Sequence, residues 1–330
     1  MHRFLGFASL ALVGCFSGGD NPGTDAGTDT SPATEAGTET WADGKTIDTD
    51  VVIPEGATVT IAPGATITVG SNVSIRVEGA LACASAAGTH ATLTGSAWQG
   101  IKVAVHGTVT LDGLDVTNAV TALDVSGDGK NTYDHGTITN AAPFVIATGA
   151  ALSTTGAKVV KAAGLARVSG SLTASYLDMD ANDHGAIVTL DKTAVLSLED
   201  STIHNSGKLG STSAPDQLTD NGAATFHVAY SDISGAHCGF HFDQASVFDI
   251  DHITVHDVTN GADFWGTSTS GTRTIKSSNW QNVVENFDET NVNGVISVDG
   301  CYTTGTNKLK DTQVTITNAS STPIAGAGPR

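Results

Sequence analysis

Six carboxylates recur at one place in this chain: Asp112, Asp134, Glu199, Asp200, Asp251 and Asp299 each lie four or three residues before an apolar residue that closes a short motif. Gathered on one strip, such acids could protonate a leaving group, or hold a calcium ion that acidifies a substrate proton. A lyase also needs a base, and Lys276, with Arg273 in the same stretch, is what this strip offers. Glu199, Asp251, Asp299 and Lys276 are therefore the catalytic candidates, and Ca2+ is the cofactor that such chemistry would call on. The competing reading of the same residues is a solvated acidic face with no catalysis and no cofactor, and the sequence favours it.

Histidines crowd the second half of the chain: His204, His227, His237, His241, His252 and His256. A zinc or copper site wants three or four convergent donors. His237, His241 and His256 would supply them if a turn folds favourably. The chain lacks a tight ligand spacing such as His-Glu-x-x-His, so the expectation is hydrogen-bonded surface histidines and no metal site. Cys238 and Cys301 fall almost three repeats apart, about 13 Å along the stack, whereas a disulfide needs Cα atoms within about 7 Å. With Cys83 they are expected to be free thiols. Trp265 is the aromatic best suited to stack on a sugar ring, with edge packing over the core as the competing reading.

The elements that must position these groups repeat roughly every 22 residues between positions 111 and 305, as in L-D-G-L-D-V-T-N (111–118), Y-D-H-G-T-I-T-N (133–140), L-E-D-S-T-I-H-N (198–205) and I-D-H-I-T-V-H-D (250–257). The apolar anchors are Val116, Ile138, Ile203, Ile233, Val255 and Trp280, continued by Tyr302, with Val160 and Met179 in the gap. A second apolar residue stands five before each anchor and a third two before that, which is the strand period. Asn118, Asn140, Asn205, Asp257 or Asn282 follows two after, placed to bond its equivalents in neighbouring coils. Short strands and turns at this period predict a solenoid. V-V-I-P-E-G-A-T-V-T-I-A-P-G-A-T-I-T-V (51–69) alternates strictly and joins it. Two coils break the rhythm, with excess residues at 208–220 and 264–271; insertions in solenoids map to loops, often on a binding face.

On these motifs the chain resembles the right-handed parallel β-helix proteins of the pectin-lyase-like superfamily, over residues 50 to 318. The resemblance implies an all-β solenoid of about eleven coils, on the order of 50 Å long. A-W-Q-G-I-K-V (97–103) is similar to the Trp-x-Gly-Ile element of bacterial β-helix repeats, which gives Trp98 a structural role. T-R-T-I-K-S around Arg273 and Lys276 is faintly similar to the Arg-x-Lys of polygalacturonases, but that family's Asn-Thr-Asp, Asp-Asp and Gly-His-Gly motifs are absent. The fold carries lyases, hydrolases, adhesins and inert scaffolds.

The first residues carry an address. A basic start and an apolar run of about ten residues, too short to span a bilayer, lead to Leu12-Val13-Gly14-Cys15. This segment resembles the bacterial lipobox, which implies cleavage before Cys15 and its lipidation. Residues 16–40 contain five acids and no basic residue and read as a disordered tether. The organisation expected is a signal peptide at 1–14, the lipidated Cys15 and linker at 15–40, the β-helix at 41–318 and a tail at 319–330. The net charge of −19 argues against a nucleic-acid partner and disfavours uronic-acid polymers unless divalent cations bridge them. The favoured function is a non-catalytic lipoprotein of the outer membrane or cell surface, an adhesin, glycan-contacting module or envelope scaffold. Its partners would be the membrane, through the anchor, and an extracellular or cell-wall polysaccharide. A surface-displayed polysaccharide lyase or glycoside hydrolase is the alternative. An ice or crystal binder, suggested by Thr-x-Thr pairs, is the third class, but those pairs follow no regular ladder.

Overall fold

A computed structural model of the chain describes residues 37–85, 88–207, 210, 215–222, 224–242, 247–265, 271–289, 295–309 and 313–330. Residues 1–36, which hold the expected signal segment, Cys15 and most of the expected linker, lie outside the described residues, as do most of the 208–214 stretch and residues 266–270 of the second insertion. Every regular element described is a strand. Thirteen of them, from Thr38–Trp41 to Val314–Thr317, form one parallel sheet. The remaining 22 form a second sheet, which wraps the other two faces because long strands such as Asp232–Phe242 and Thr254–Phe264 run round the corner between them. The described residues thus form a right-handed parallel β-helix of about 12 turns, one more than the repeat predicts. At about 4.8 Å per turn it is a rod on the order of 58 Å long.

The anchors stack as one internal ladder. Ile67, Leu93, Val116, Ile138, Val159, Met179, Ile203, Ile233, Val255 and Trp280 are paired rung by rung, and all are buried. Two expected anchors move by one residue. Val159, not Val160, faces inward, because the Lys-Val-Val strand must turn its lysine outward and so presents its middle residue to the core. Trp280 pairs with Thr303, not Tyr302; there Cys301 fills the interior and Tyr302 is only half-buried. Trp98 is buried, its indole N–H donating to the Thr117 carbonyl at 2.9 Å. The second inward column keeps its volume by compensation. Tyr133 fits because the next two rungs carry Thr154 and Ala174, and its hydroxyl donates to the Leu114 carbonyl at 2.7 Å. The core changes character along the rod. In its later turns Phe242 stacks on Phe248 at 4.5 Å and on Phe264 at 5.8 Å.

Two columns of left-handed residues make the corners. One runs Gly113, His135, Gly156, Tyr176, Asp200, Tyr230, His252, Ser277 and Gly300. The other contains Asn118, Asn140, Asn205, Asp257 and Asn282, with φ between 50° and 66°. A parallel coil must bend within one or two residues, and the left-handed region does this; Asn and Asp tolerate it better than other side-chain-bearing residues. The asparagines do form a ladder, on the outside of the turn: Asn140 donates to Asn118 at 2.8 Å, and Asn282 donates to Asp257.

Candidate functional site

The acidic strip is real as a column. Asp112 pairs with Asp134, Ser175 with Glu199, and Ala229, Asp251, Lys276, Asp299 and Thr317 follow rung by rung. Glu199 and Asp251 are separated by the Ala229 rung, and Asp251 and Asp299 by the Lys276 rung. Each pair therefore stands about 10 Å apart along the backbone, twice the separation of carboxyl groups in a retaining glycosidase. Each group also has a local partner. Arg330 reaches Glu199 at 2.6 Å and Asp200 at 2.9 Å, its guanidinium lying over the Tyr230 ring. Lys276 is paired with Asp249 at 3.1 Å, which raises its pKa. Asp251 Oδ1 lies 2.8 Å from His252 Nδ1, within ion-pair distance, although neither atom completes a hydrogen bond. Asp299 accepts from Thr317 and Asn318, and these bonds hold it below the usual carboxylate range. Arg273 is not on the strip: alternation turns it inward, 6% exposed, on the rung after Phe248.

A groove of about 670 Å³ lies on another face. Its lining steps along the rod from Val120 and Thr121 through Val145, Leu165, Arg167 and His184 to Asp216 and Asn221. Val145, Arg167, Val188 and Thr219 are successive rungs of one outward column, which His241, Asp263 and Asp288 continue.

At the Asp216 end the histidines converge. Gln217, fully buried, donates its backbone N–H to the Cys238 carbonyl at 2.9 Å and accepts from Ser206 at 2.7 Å, which seats the residues beside it on the next coil. Asp216 is thereby brought against His237 at 3.3 Å and His241 at 2.9 Å, and it accepts the Cys238 N–H at 2.9 Å. Cys238 Sγ lies 3.3 Å from His237 Nδ1. On the far side, donor atoms of Cys238, His241 and Asp263 come within 4.8 Å of one another. Trp265, 50% exposed, sits next to this cluster with its ring 5.9 Å from that of His241. His256 is elsewhere, between Asp232 at 3.1 Å and Asp257 at 2.6 Å.

The electrostatics follow from crowding. Burial pushes Asp263 up to about 6, opposed by His241 and reinforced by Asp288 and Asp216. Asp216 is also partly buried, yet the bond from His241 and its charge hold it low. Burial, then the two aspartates, push the Cys238 thiol far up. Cys83, Cys238 and Cys301 are all free and buried, in line with the separation expected for Cys238 and Cys301.

Among the described residues only two donor groups converge within metal-ligating distance, Asp216–His237–Cys238 and Cys238–His241–Asp263; Glu199, Asp251 and Asp299 belong to neither. The sequence pointed to His237 and His241 but not to their partners. Asp216 lies in the insertion at 208–220, and its position depends on where Gln217 is buried. The two rhythm-breaking stretches, carrying Asp216 and Trp265, were the one signal that marked this region. No protein-family model, curated protein or solved structure matches the chain. The chemistry of the site alone carries the functional reading.

Proposed function

We propose that this chain is a lipid-anchored solenoid of the cell envelope, akin to the pectin-lyase-like proteins, that binds a polysaccharide without turning it over. The groove carries this reading. It runs over about five rungs, roughly 20 Å, along a straight rod, which suits an extended polymer better than a compact ligand. Its lining is mainly apolar with a few polar groups, Arg167, His184 and Asp216, the mixture that orients a ligand with both apolar and hydroxyl faces. Trp265 adds an exposed ring beyond the Asp216 end. The acidic balance favours a neutral glycan. Against catalysis stands the separation of Glu199, Asp251 and Asp299 by intervening rungs. The lipobox-like Leu12-Val13-Gly14-Cys15 supports attachment to the outer membrane or cell surface.

The test is a glycan array followed by calorimetry on the full chain in detergent, with assays for reducing ends and unsaturated products. A neutral polysaccharide should be retained intact, and Trp265→Ala or Arg167→Glu should weaken it by roughly tenfold or more. Retention of no glycan at all sinks the reading. Product formation that disappears in Asp251→Asn replaces it with the lyase or hydrolase.

A further inference from the structure

We propose that Asp216, His237 and Cys238 form a zinc site, with His241 fixing the aspartate and Asp263 bordering the site through Cys238. The site shares Asp216 with the groove, but the metal reading does not rest on what the groove binds. The two His237 contacts are longer than a charge-assisted hydrogen bond and close to the spacing of ligands that share a metal ion. A charge-assisted N–H···O bond closes to about 2.7–2.9 Å, and His241 Nδ1 does so against Asp216 Oδ2, at 2.9 Å. His237 Nδ1 instead stands 3.3 Å from both Asp216 Oδ1 and Cys238 Sγ. With Zn–N and Zn–O near 2.0–2.1 Å and Zn–S near 2.3 Å, donors at tetrahedral angles lie about 3.3–3.6 Å apart. The N···O separation matches an edge of such a tetrahedron, and the N···S separation falls about 0.3 Å short of one.

Donor chemistry points the same way. A thiol, an imidazole and a carboxylate suit a borderline-soft ion; calcium and magnesium take oxygen alone. The carboxylate bond to His241 is the kind of outer contact that orients a metal ligand. A second observation is independent of these distances. Asp263 is 4% exposed and its Oδ1 has no hydrogen-bond partner, while an oxygen of the same carboxylate lies within 4.8 Å of Cys238 Sγ. A buried, unpartnered carboxylate oxygen costs free energy, and a cation held at Cys238 lowers that cost. On binding, the Zn–S bond forms and the Cys238 thiol proton passes to solvent. A Cys–His–Asp nucleophile made of the same atoms fails, because His237 presents one nitrogen, Nδ1, to both partners, where a relay needs one ring nitrogen for each. The consequence is structural: the ion ties the inserted residues around Asp216 to the coil carrying His237 and Cys238, and so fixes one end of the groove.

The experiment loads the full chain in detergent with zinc or cobalt(II) alone. The expected result is one equivalent of zinc, and with cobalt(II) intense tetrahedral visible bands and a near-ultraviolet thiolate charge-transfer band. Cys238→Ser should abolish that charge-transfer band. His241→Ala should keep the band but weaken zinc by about 10–100-fold. His256→Ala should change nothing. Because Cys238 is buried, His237→Ala, at a side chain 24% exposed, tests the site without opening the core, and there zinc should weaken by about tenfold or more. Circular dichroism confirms the fold of each variant. Less than a tenth of an equivalent of bound metal overturns the proposal. So does a charge-transfer band that survives Cys238→Ser, or unchanged zinc affinity in folded His237→Ala.

Discussion

Raising the pH should weaken this solenoid through one histidine. His256 joins three coils: it bonds Asp232 on the preceding coil and Asp257 on its own, and Asp257 accepts in turn from Asn282 on the next. Asp232 first, then Asp257, raise its pKa from 6.5 to about 9 against the cost of burial. The folded state therefore holds the proton more tightly than the unfolded chain does. The resulting stability is complete below pH about 6.5, where both states are protonated, and is lost as pH rises through about 9. Unscreened, that shift corresponds to about 3 kcal/mol. With the imidazole 33% exposed, solvent reduces it to about 1–2 kcal/mol. The assay is urea unfolding of the wild type and His256→Gln between pH 6 and pH 9.5. Other histidines and the overall negative charge add slopes of their own, but these cancel in the difference between the two proteins. The difference should shrink by about 1–2 kcal/mol across this window. If the two proteins lose stability in parallel, His256 is not coupled to folding and the reasoning fails.

Three further outcomes are expected. Ile233, fully buried between Ile203 and Val255, should cost about 2–5 kcal/mol as Ile233→Ala and break cooperative unfolding as Ile233→Asp, which leaves a charge unpaired in the core; an aspartate variant with a wild-type urea midpoint would refute the ladder. At Asn205, φ +66°, alanine should cost about 1–2 kcal/mol while glycine stays close to wild type, so equal midpoints for the two would remove the left-handed turn from the explanation. Cys15→Ala should abolish acyl labelling and leave an uncleaved precursor, and normal acylation of that variant would end the anchoring proposal.

The sequence alone was enough for the architecture, because a solenoid repeats one local rule. Every coil meets the next at the same strand spacing, so the alternation that points Ile203 inward also points Ile233 and Val255 inward, and the period can be read without knowing any distant contact. It was also enough to place Glu199, Asp251, Lys276 and Asp299 in one column. It missed by one residue where two apolar candidates stood side by side, at Val159 and Val160, and at the last rung, where Thr303 and not Tyr302 pairs with Trp280. Only the tertiary structure decided which polar groups meet. Asp216 reaches His237 and Cys238 because Gln217 is buried on the next coil, and Arg330 reaches Glu199 and Asp200 across 130 residues of chain. Such contacts depend on where an inserted stretch or a chain end settles on the rod. That is fixed by side-chain burial outside the repeat, and no periodicity encodes it.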